Sequence, residues 1–283
     1  MYRVFALGVA AVALAVAAGG ARAEQPSLAS VMILGDSVAT GMSWHNDAIA
    51  VMQRNLDVDW QIAICRRLTG ASCWDQGVQP ETAVDLVDSL PSVPPYVVVV
   101  MGYNDYADTF ALSLDATMEA LLAKGAEHVL WLTLRESEGP FPQINAQLYG
   151  ALARWPQLQL VDWNGFSAGH PEWFQTDFVH VVDAGGVAMA RLIHGSLIEA
   201  IDPLQVELPA LPALRVGQPF SAQLNAMGGT EPYRWRVSWG RPPRGLHLTP
   251  GGLLSGRPRG SGPMNFSVSV TDADGLTAVG SVR

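Results

Sequence analysis

The sequence predicts an open α/β sheet with helices on both faces, followed by a smaller all-β unit, on three observations. Between residues 29 and 201, short apolar runs closed by glycine or polar residues alternate with stretches of helical spacing, the pattern of repeated βαβ units. Tyr96-Val97-Val98-Val99-Val100-Met101 is β-branched and apolar on both faces, as a parallel strand buried between two layers must be. From Pro203 the texture changes to prolines, glycines and short segments of period two, with no helical periodicity.

Val31-Met32-Ile33-Leu34-Gly35 predicts the first strand, and Asp36-Ser37 a sharp turn into a helix at its carboxyl end, where open α/β sheets place their ligands. A helix follows over Asp47 to Gln53, then a second strand over Asp59 to Ile64 leading into the loop Cys65 to Cys73. Val84, Leu86, Val87 and Leu90 have helical spacing, with Pro80 near the start, and Pro94-Pro95 ends the stretch. Beyond the central strand, Leu112 to Lys124 predicts a helix closed by Gly125. Strands over His128 to Leu134 and Leu158 to Trp163 flank a helix over Ile144 to Arg154, and the last helix runs from about Asp183 to Ile201. In the tail, Phe220 to Leu224, Tyr233 to Val237 and Phe266 to Val270 alternate as half-buried sandwich strands do.

The first 23 residues carry Arg3, an apolar run from Val4 to Ala18 and then Ala21-Arg22-Ala23, the form of an export signal with its cleavage site. The run is too short and alanine-rich for a membrane span, and no later segment reaches the roughly 20 apolar residues required. An exported, soluble protein, periplasmic or secreted, is therefore expected, divided into residues 24–203 and residues 204–283. In an oxidising compartment Cys65 and Cys73, the only cysteines, are expected to form a local disulfide; no metal site is expected of them. The net charge of -9 hides a division: residues 24–203 hold 22 acidic and 7 basic side chains, residues 204–283 hold 4 and 8. That acidity argues against nucleic acid as a partner of the larger part.

Three polar clusters fall where strands end or the last helix begins: Ser37, Asn104, and Asp177 with His180. Such groups can converge on one crevice although they are far apart in sequence. A serine hydroxyl is a weak nucleophile until an imidazole takes its proton, and a carboxylate fixes that imidazole's tautomer. Asp177 and His180, three residues apart, can form that pair within one turn. The Ser37 backbone N–H and the Asn104 amide suit the oxyanion of acyl transfer.

These residues resemble the SGNH hydrolases, also called GDSL esterases and lipases. Gly35-Asp36-Ser37 matches the family's first block, Gly102-Tyr103-Asn104-Asp105 its Gly-x-Asn-Asp block, and Asp177-Phe178-Val179-His180 its closing Asp-x-x-His block. The resemblance covers about residues 30 to 200. It implies a flavodoxin-like three-layer α/β/α fold and ester hydrolysis without metal or cofactor. Ser37 would be the nucleophile, His180 the base, Asp177 its partner and Asn104 an oxyanion donor. For the family's second-block glycine two placements compete: Gly70, the preferred one, and Gly77-Val78-Gln79-Pro80, which would set a proline without an N–H at the donor position. Arg66 and Arg67 beside Gly70 can border the site and recognise a carboxylate on the acyl group or sugar, or pair with surface acids.

The tail segments Gly228-Gly229-Thr230-Glu231-Pro232-Tyr233, Pro243 to Leu248, Gly252 to Pro258 and Val270 to Gly275 resemble the immunoglobulin-like modules of bacterial surface and secreted proteins. That resemblance implies a β-sandwich and no particular ligand. Arg234, Arg236, Arg241, Arg244, Arg257 and Arg259, near Trp235 and Trp239, can bind an anionic glycan or dock on the acidic first part; docking is the expectation. The function expected is an exported serine esterase acting on an ester substrate, a small acyl group on a polysaccharide or glycoside. Two alternatives stand beside it: an acyltransferase with the same triad, and a glycan-binding or adhesion protein without activity.

Overall fold

The computed structural model describes residues 28–137, 139–260 and 264–283. The segment read as an export signal lies outside the described residues. Five parallel strands, β1 (Ala29–Gly35), β2 (Leu56–Ile62), β3 (Tyr96–Val100), β4 (His128–Leu132) and β5 (Leu158–Val161), form a sheet in the order β2-β1-β3-β4-β5. This is the flavodoxin-like order, and its strand order reverses direction between β1 and β3.

Alternation along β1 shows why both faces must be covered. Met32 and Leu34 enter one apolar cluster and Val31 and Ile33 the other, and all four are fully buried. The first cluster is closed by α3 (Ala83–Ser89), α4 (Phe110–Ala123) and α5 (Phe141–Ala151) through Val87, Leu114 and Leu148. The second is closed by α1 (Thr40–Ser43), α2 (Asn46–Met52) and α7 (Asp183–Ile201) through Met42, Met52 and Ile193. Each such side chain contributes about 1.5–3 kcal/mol by leaving water.

Several boundaries differ from the sequence expectation, each for a local reason. The third helix starts at Ala83 rather than near Pro80, because the Thr82 hydroxyl accepts the Asp85 N–H at 3.1 Å and caps it there. The fifth begins at Phe141, with Pro142 in the first turn where its missing N–H costs nothing. The β5 strand stops at Val161 rather than Trp163, because Asp162 accepts the Gly165 N–H at 2.9 Å and starts a short helix, α6 (Trp163–Ser167), absent from the sequence expectation.

Beyond α7 two three-stranded antiparallel sheets pack together. One is β7 (Phe220–Gln223), β10 (Leu246–Leu248) and β11 (Leu253–Gly256); the other is β9 (Arg234–Gly240), β12 (Phe266–Thr271) and β13 (Thr277–Val282). A short ribbon of β6 (Gln205–Glu207) and β8 (Asn225–Met227) flanks them. Leu224, Trp235, Leu254, Phe266, Val268, Val270 and Val282 fill the core between the sheets. This is an immunoglobulin-like arrangement. Strands of three or four residues, such as β10 and β11, are too short to show a period, and the sequence reading did not separate them.

The two units are joined by charge of the opposite polarity to that expected. Asp274 of the β-unit meets Arg54 at 3.0 Å, and His194, buried in α7, bonds the Arg54 carbonyl at 2.9 Å. The Gly229 N–H adds a bond to the Asp202 carbonyl at 2.8 Å, and Leu276 packs against the second apolar cluster. Among the described residues, no tail arginine forms an ion pair with an acid of the first unit. Arg236 bonds the Ser269 hydroxyl and Arg257 the Gly217 carbonyl, both within the sandwich.

Candidate active site

The site forms where strand order reverses. At the end of β1 the Asp36 N–H bonds the Val100 carbonyl of β3 at 3.1 Å, so the two strand ends are tied together. Gly35 permits the turn that follows, since a Cβ there would lie 2.4 Å from that of Ala39. The Asp36 carboxylate caps a short turn, Ser37–Ala39, by accepting the Val38 N–H at 2.9 Å. Ser37 opens that turn with its side chain half-buried and its carbonyl bonded by the Thr40 hydroxyl at 2.6 Å.

His180 reaches Ser37 from the far end of the sequence. The loop carrying it is folded by a bridge between Phe174 and Val181 and by the Gln175 N–H on the His180 carbonyl at 2.7 Å. Its Nε2 lies 2.9 Å from the Ser37 Oγ, and its Nδ1 lies 2.6 Å from the Asp177 Oδ2. The other Asp177 oxygen accepts the backbone N–H groups of Val179 and His180 at 2.9 and 3.0 Å. Burial pushes the Asp177 carboxyl up, but the His180 ring and those two N–H groups outweigh it and hold the group below the usual carboxylate range. An ionised carboxylate only accepts, so Nδ1 carries the proton and Nε2 is left to accept from the serine.

The helices that follow these two partners, α1 and α7, approach each other closely. A Cβ on Gly186, in the first turn of α7, would stand 2.0 Å from the Gly41 carbonyl oxygen of α1, and a Cβ on Gly41 would stand 2.1 Å from Val181. The separation of Ser37 from His180 thus depends on two glycines, Gly186 against the Gly41 backbone and Gly41 against the Val181 side chain.

Asn104 follows β3 in a turn closed by the Asp105 N–H on the Gly102 carbonyl at 3.2 Å. Its side-chain N–H donates to the Arg66 carbonyl at 3.3 Å, which leaves the second amide hydrogen free for another acceptor. The loop it touches is closed by the Cys65–Cys73 disulfide, with Cα atoms 5.1 Å apart, as the sequence reading expected. Leu68 of that loop donates its N–H to the Asp105 Oδ1 at 3.0 Å.

Buried charge surrounds this turn. Burial, reinforced by the Asp105 charge, pushes the Asp36 carboxyl up to about 7 against the Val38 N–H and His180, and its Oδ2 has no partner. Burial likewise pushes Asp105 up to about 6. Neither carboxyl has a role in the sequence reading beyond its place in its motif. An aromatic stack, also missed, supports the His180 loop: His170 lies on Trp173 with centroids 3.8 Å apart, Trp173 on Trp163 at 6.1 Å, and Phe174 under the Arg135 guanidinium at 5.3 Å.

Not every expected residue converges. Gly70 sits at φ 72° in a groove with Tyr106, Thr109 and Leu112 of the α4 side, and no described hydrogen bond joins it to Ser37 or His180. Gly77 lies in a tight hairpin between Asp75 and Val78. The residue with glycine-like backbone nearest the end of β2 is Cys65, at φ 69°, two positions past Ala63, whose N–H bonds the Gly35 carbonyl at 3.1 Å. Arg66 is buried, giving Nη1 to the Gln61 carbonyl at 2.6 Å and Nε to the Glu81 carbonyl at 3.1 Å, and among the described residues no acid forms an ion pair with it. Arg67 lines the Gly70 groove. Among the described residues no cluster of three or more His, Cys, Asp or Glu could hold a metal, and no helix is long and apolar enough to cross a membrane.

Residues 202–283 match a family model described as "Putative Ig domain". The "O-acetyltransferase OatA" of Staphylococcus aureus strains NCTC 8325 / PS 47 and COL is 34% identical over 97 residues, 34% of this chain and 15% of the relative. The chain thus spans a small fraction of those relatives' length. Among solved structures, the psychrotrophic esterase EstA from Pseudoalteromonas sp. superposes with a TM-score of 0.45 at 14% identity, covering 61% of this chain and 98% of that one. The M. smegmatis aryl esterase gives 0.42 at 17% identity over 58% and 97%, and the Clostridium thermocellum family 3 carbohydrate esterase 0.41 at 15% over 58% and 92%.

Proposed function

We propose that this protein is an exported serine esterase of the SGNH type that removes a small acyl group from a glycan, with residues 24–203 as the catalytic unit and 204–283 as its accessory β-sandwich. The observation that carries the reading is the unbroken chain from Ser37 Oγ to His180 Nε2 to Asp177 at 2.9 and 2.6 Å, at the sheet's switch point. His180 takes the Ser37 proton as the oxygen attacks the ester carbonyl, and Asp177 steadies the imidazolium that results. The oxyanion is met by the Ser37 N–H and the free Asn104 amide hydrogen, each worth on the order of 100- to 1000-fold in rate. The third donor we assign to the Cys65 N–H in preference to Gly70, because Cys65 holds the glycine-like turn beside Gly35. The alcohol leaves with the His180 proton, and water, deprotonated in turn by His180, releases the acid.

The test is hydrolysis of aryl acetate and aryl butyrate by the purified protein beside Ser37→Ala. Turnover confined to the wild type supports the reading; equal background rates in both overturn it. A second reading, transfer of the acyl group to a sugar hydroxyl, is favoured by the 34% identity to proteins named as O-acetyltransferases. Product analysis with a sugar acceptor present separates the two, since a transferase yields the new sugar ester in excess over free acid.

A further inference from the structure

Two consecutive arginines have opposite fates, and the second points to a ligand. Arg66 is spent on backbone carbonyls, as described. Arg67 makes no hydrogen bond through its guanidinium among the described residues, and no described acid lies within ion-pairing distance, although the α/β unit holds 22 acidic side chains. Its guanidinium carbon stands 4.1 Å over the Tyr106 ring instead.

The backbone beneath it is held on three sides. The Arg67 N–H bonds the Ser72 hydroxyl at 3.3 Å, its carbonyl accepts the Ala83 N–H at 2.9 Å, and the disulfide closes the loop. An arginine so placed loses little freedom on binding, and its planar fork suits a carboxylate. Asp105, the acid in the same wall, attracts the guanidinium at a distance, but its Oδ1 is occupied by the Leu68 N–H, its Oδ2 is buried without a partner, and the two side chains form no ion pair.

Around Arg67 opens a groove of about 440 Å³, with Ala71, Leu112 and the exposed Tyr106 as apolar wall and Thr69 as a hydroxyl. That volume falls within the range of small-molecule sites. The groove is tied to the candidate site through Asn104, whose amide bonds the carbonyl of the residue before Arg67 and which lies two residues ahead of Tyr106, while Ser37, Asp177 and His180 do not line it. We infer that this groove is the alcohol-side subsite and takes an acidic sugar, its ring lying on the apolar wall and its carboxylate paired with Arg67. The inference rests on the esterase reading for its place in the reaction.

The test compares kcat/KM for two soluble esters, the per-acetylated methyl glycosides of glucuronic acid and of glucose, in the wild type, Arg67→Gln and Arg67→Lys. The wild type should prefer the uronate by about tenfold, as expected of a charge-assisted pair. Arg67→Gln should bring the ratio to about one, and Arg67→Lys should keep part of it, because charge survives without the fork. Thermal unfolding checks that both variants fold, and the ratio within each variant cancels any general loss of activity. No preference in the wild type, or an unchanged preference in Arg67→Gln, overturns the subsite. Should the wild type turn over neither glycoside nor aryl acetate, the esterase reading fails by itself. The subsite is then read from saturation-transfer NMR with methyl glucuronoside against methyl glucoside: selective uronate signals lost in Arg67→Gln uphold it, and equal signals sink it.

Discussion

Gly186 and Gly41 touch through their backbones: the space a Cβ on Gly186 would need is occupied by the Gly41 carbonyl oxygen at 2.0 Å. Because Gly41 lies four residues after Ser37 and Gly186 six after His180, widening this contact moves the Ser37 hydroxyl away from the His180 ring. Gly186→Ala is therefore expected to lower kcat on an aryl ester by about 100-fold, the cost of an ångström-scale misplacement. Gly195, on the same helix with nothing within 4 Å of its would-be Cβ, is the control. Gly195→Ala should leave kcat unchanged and stabilise by about 0.5–1 kcal/mol. Equal kcat in both variants would remove the spacing role.

Asp177 holds the His180 ring with one oxygen and the His180 backbone with the other. Asp177→Asn keeps an acceptor for the backbone but offers no anion to the imidazolium, and kcat should fall by about 10⁴. Asp177→Ala should also lose the loop's turn, visible as a lower melting temperature than that of Asp177→Asn. If the two variants melt together, the second oxygen does not organise the loop.

Asp36 and Asp105 make stability depend on pH in an unusual direction. Their carboxyls are raised from 3.8 to about 7 and about 6, so the folded chain holds protons that the unfolded chain has released. Their stabilising effect is complete below about pH 4 and lost as pH rises through about 6 to 7. Asp105→Asn keeps the acceptor for Leu68 and removes the charge, so its stability relative to wild type should rise by about 3 kcal/mol between pH 4 and pH 8. Thermal melts across that range test this; a constant difference between the two proteins would refute it. Asp177, held low, works in the opposite sense and contributes above pH 4.

Asp274 is largely buried between Arg54 and His194, and its Oδ2 has no hydrogen bond. Asp274→Ala leaves the half-exposed Arg54 guanidinium without its partner and should cost about 0.5–1 kcal/mol. Calorimetry should then show the β-sandwich melting ahead of the α/β unit, where the wild type melts in one transition. A single unshifted transition in Asp274→Ala would mean that the apolar contact through Leu276 suffices.

Much of this was legible in the chain because it is local. The valines of β3 can only be a doubly covered strand, and Gly35-Asp36-Ser37 and Asp177-x-x-His180 each specify a turn whose side chains must project from a strand end or helix start. What was not legible depends on conformation or on distant partners. Cys65 adopts a glycine-like φ that its identity does not announce. Arg66 and Arg67 look alike until the carbonyls of Gln61 and Glu81 claim one and the Tyr106 ring the other. The docking of the β-unit was read from a count of charges, whereas one pair, Asp274 on Arg54, decides it with the reverse sign.

The 19 residues of α7 have a further consequence. The helix leaves the sheet beside His180 and delivers the chain to the β-sandwich about 28 Å away, with three residues, Asp202 to Leu204, between its end and β6. With so short a join, and with Gly229 and Asp274 fastening the sandwich, the two units behave like the legs of a locked compass. If the sandwich holds the glycan proposed above, the acyl groups that Ser37 can reach lie on an arc of fixed radius around the point of grip and not at the grip itself.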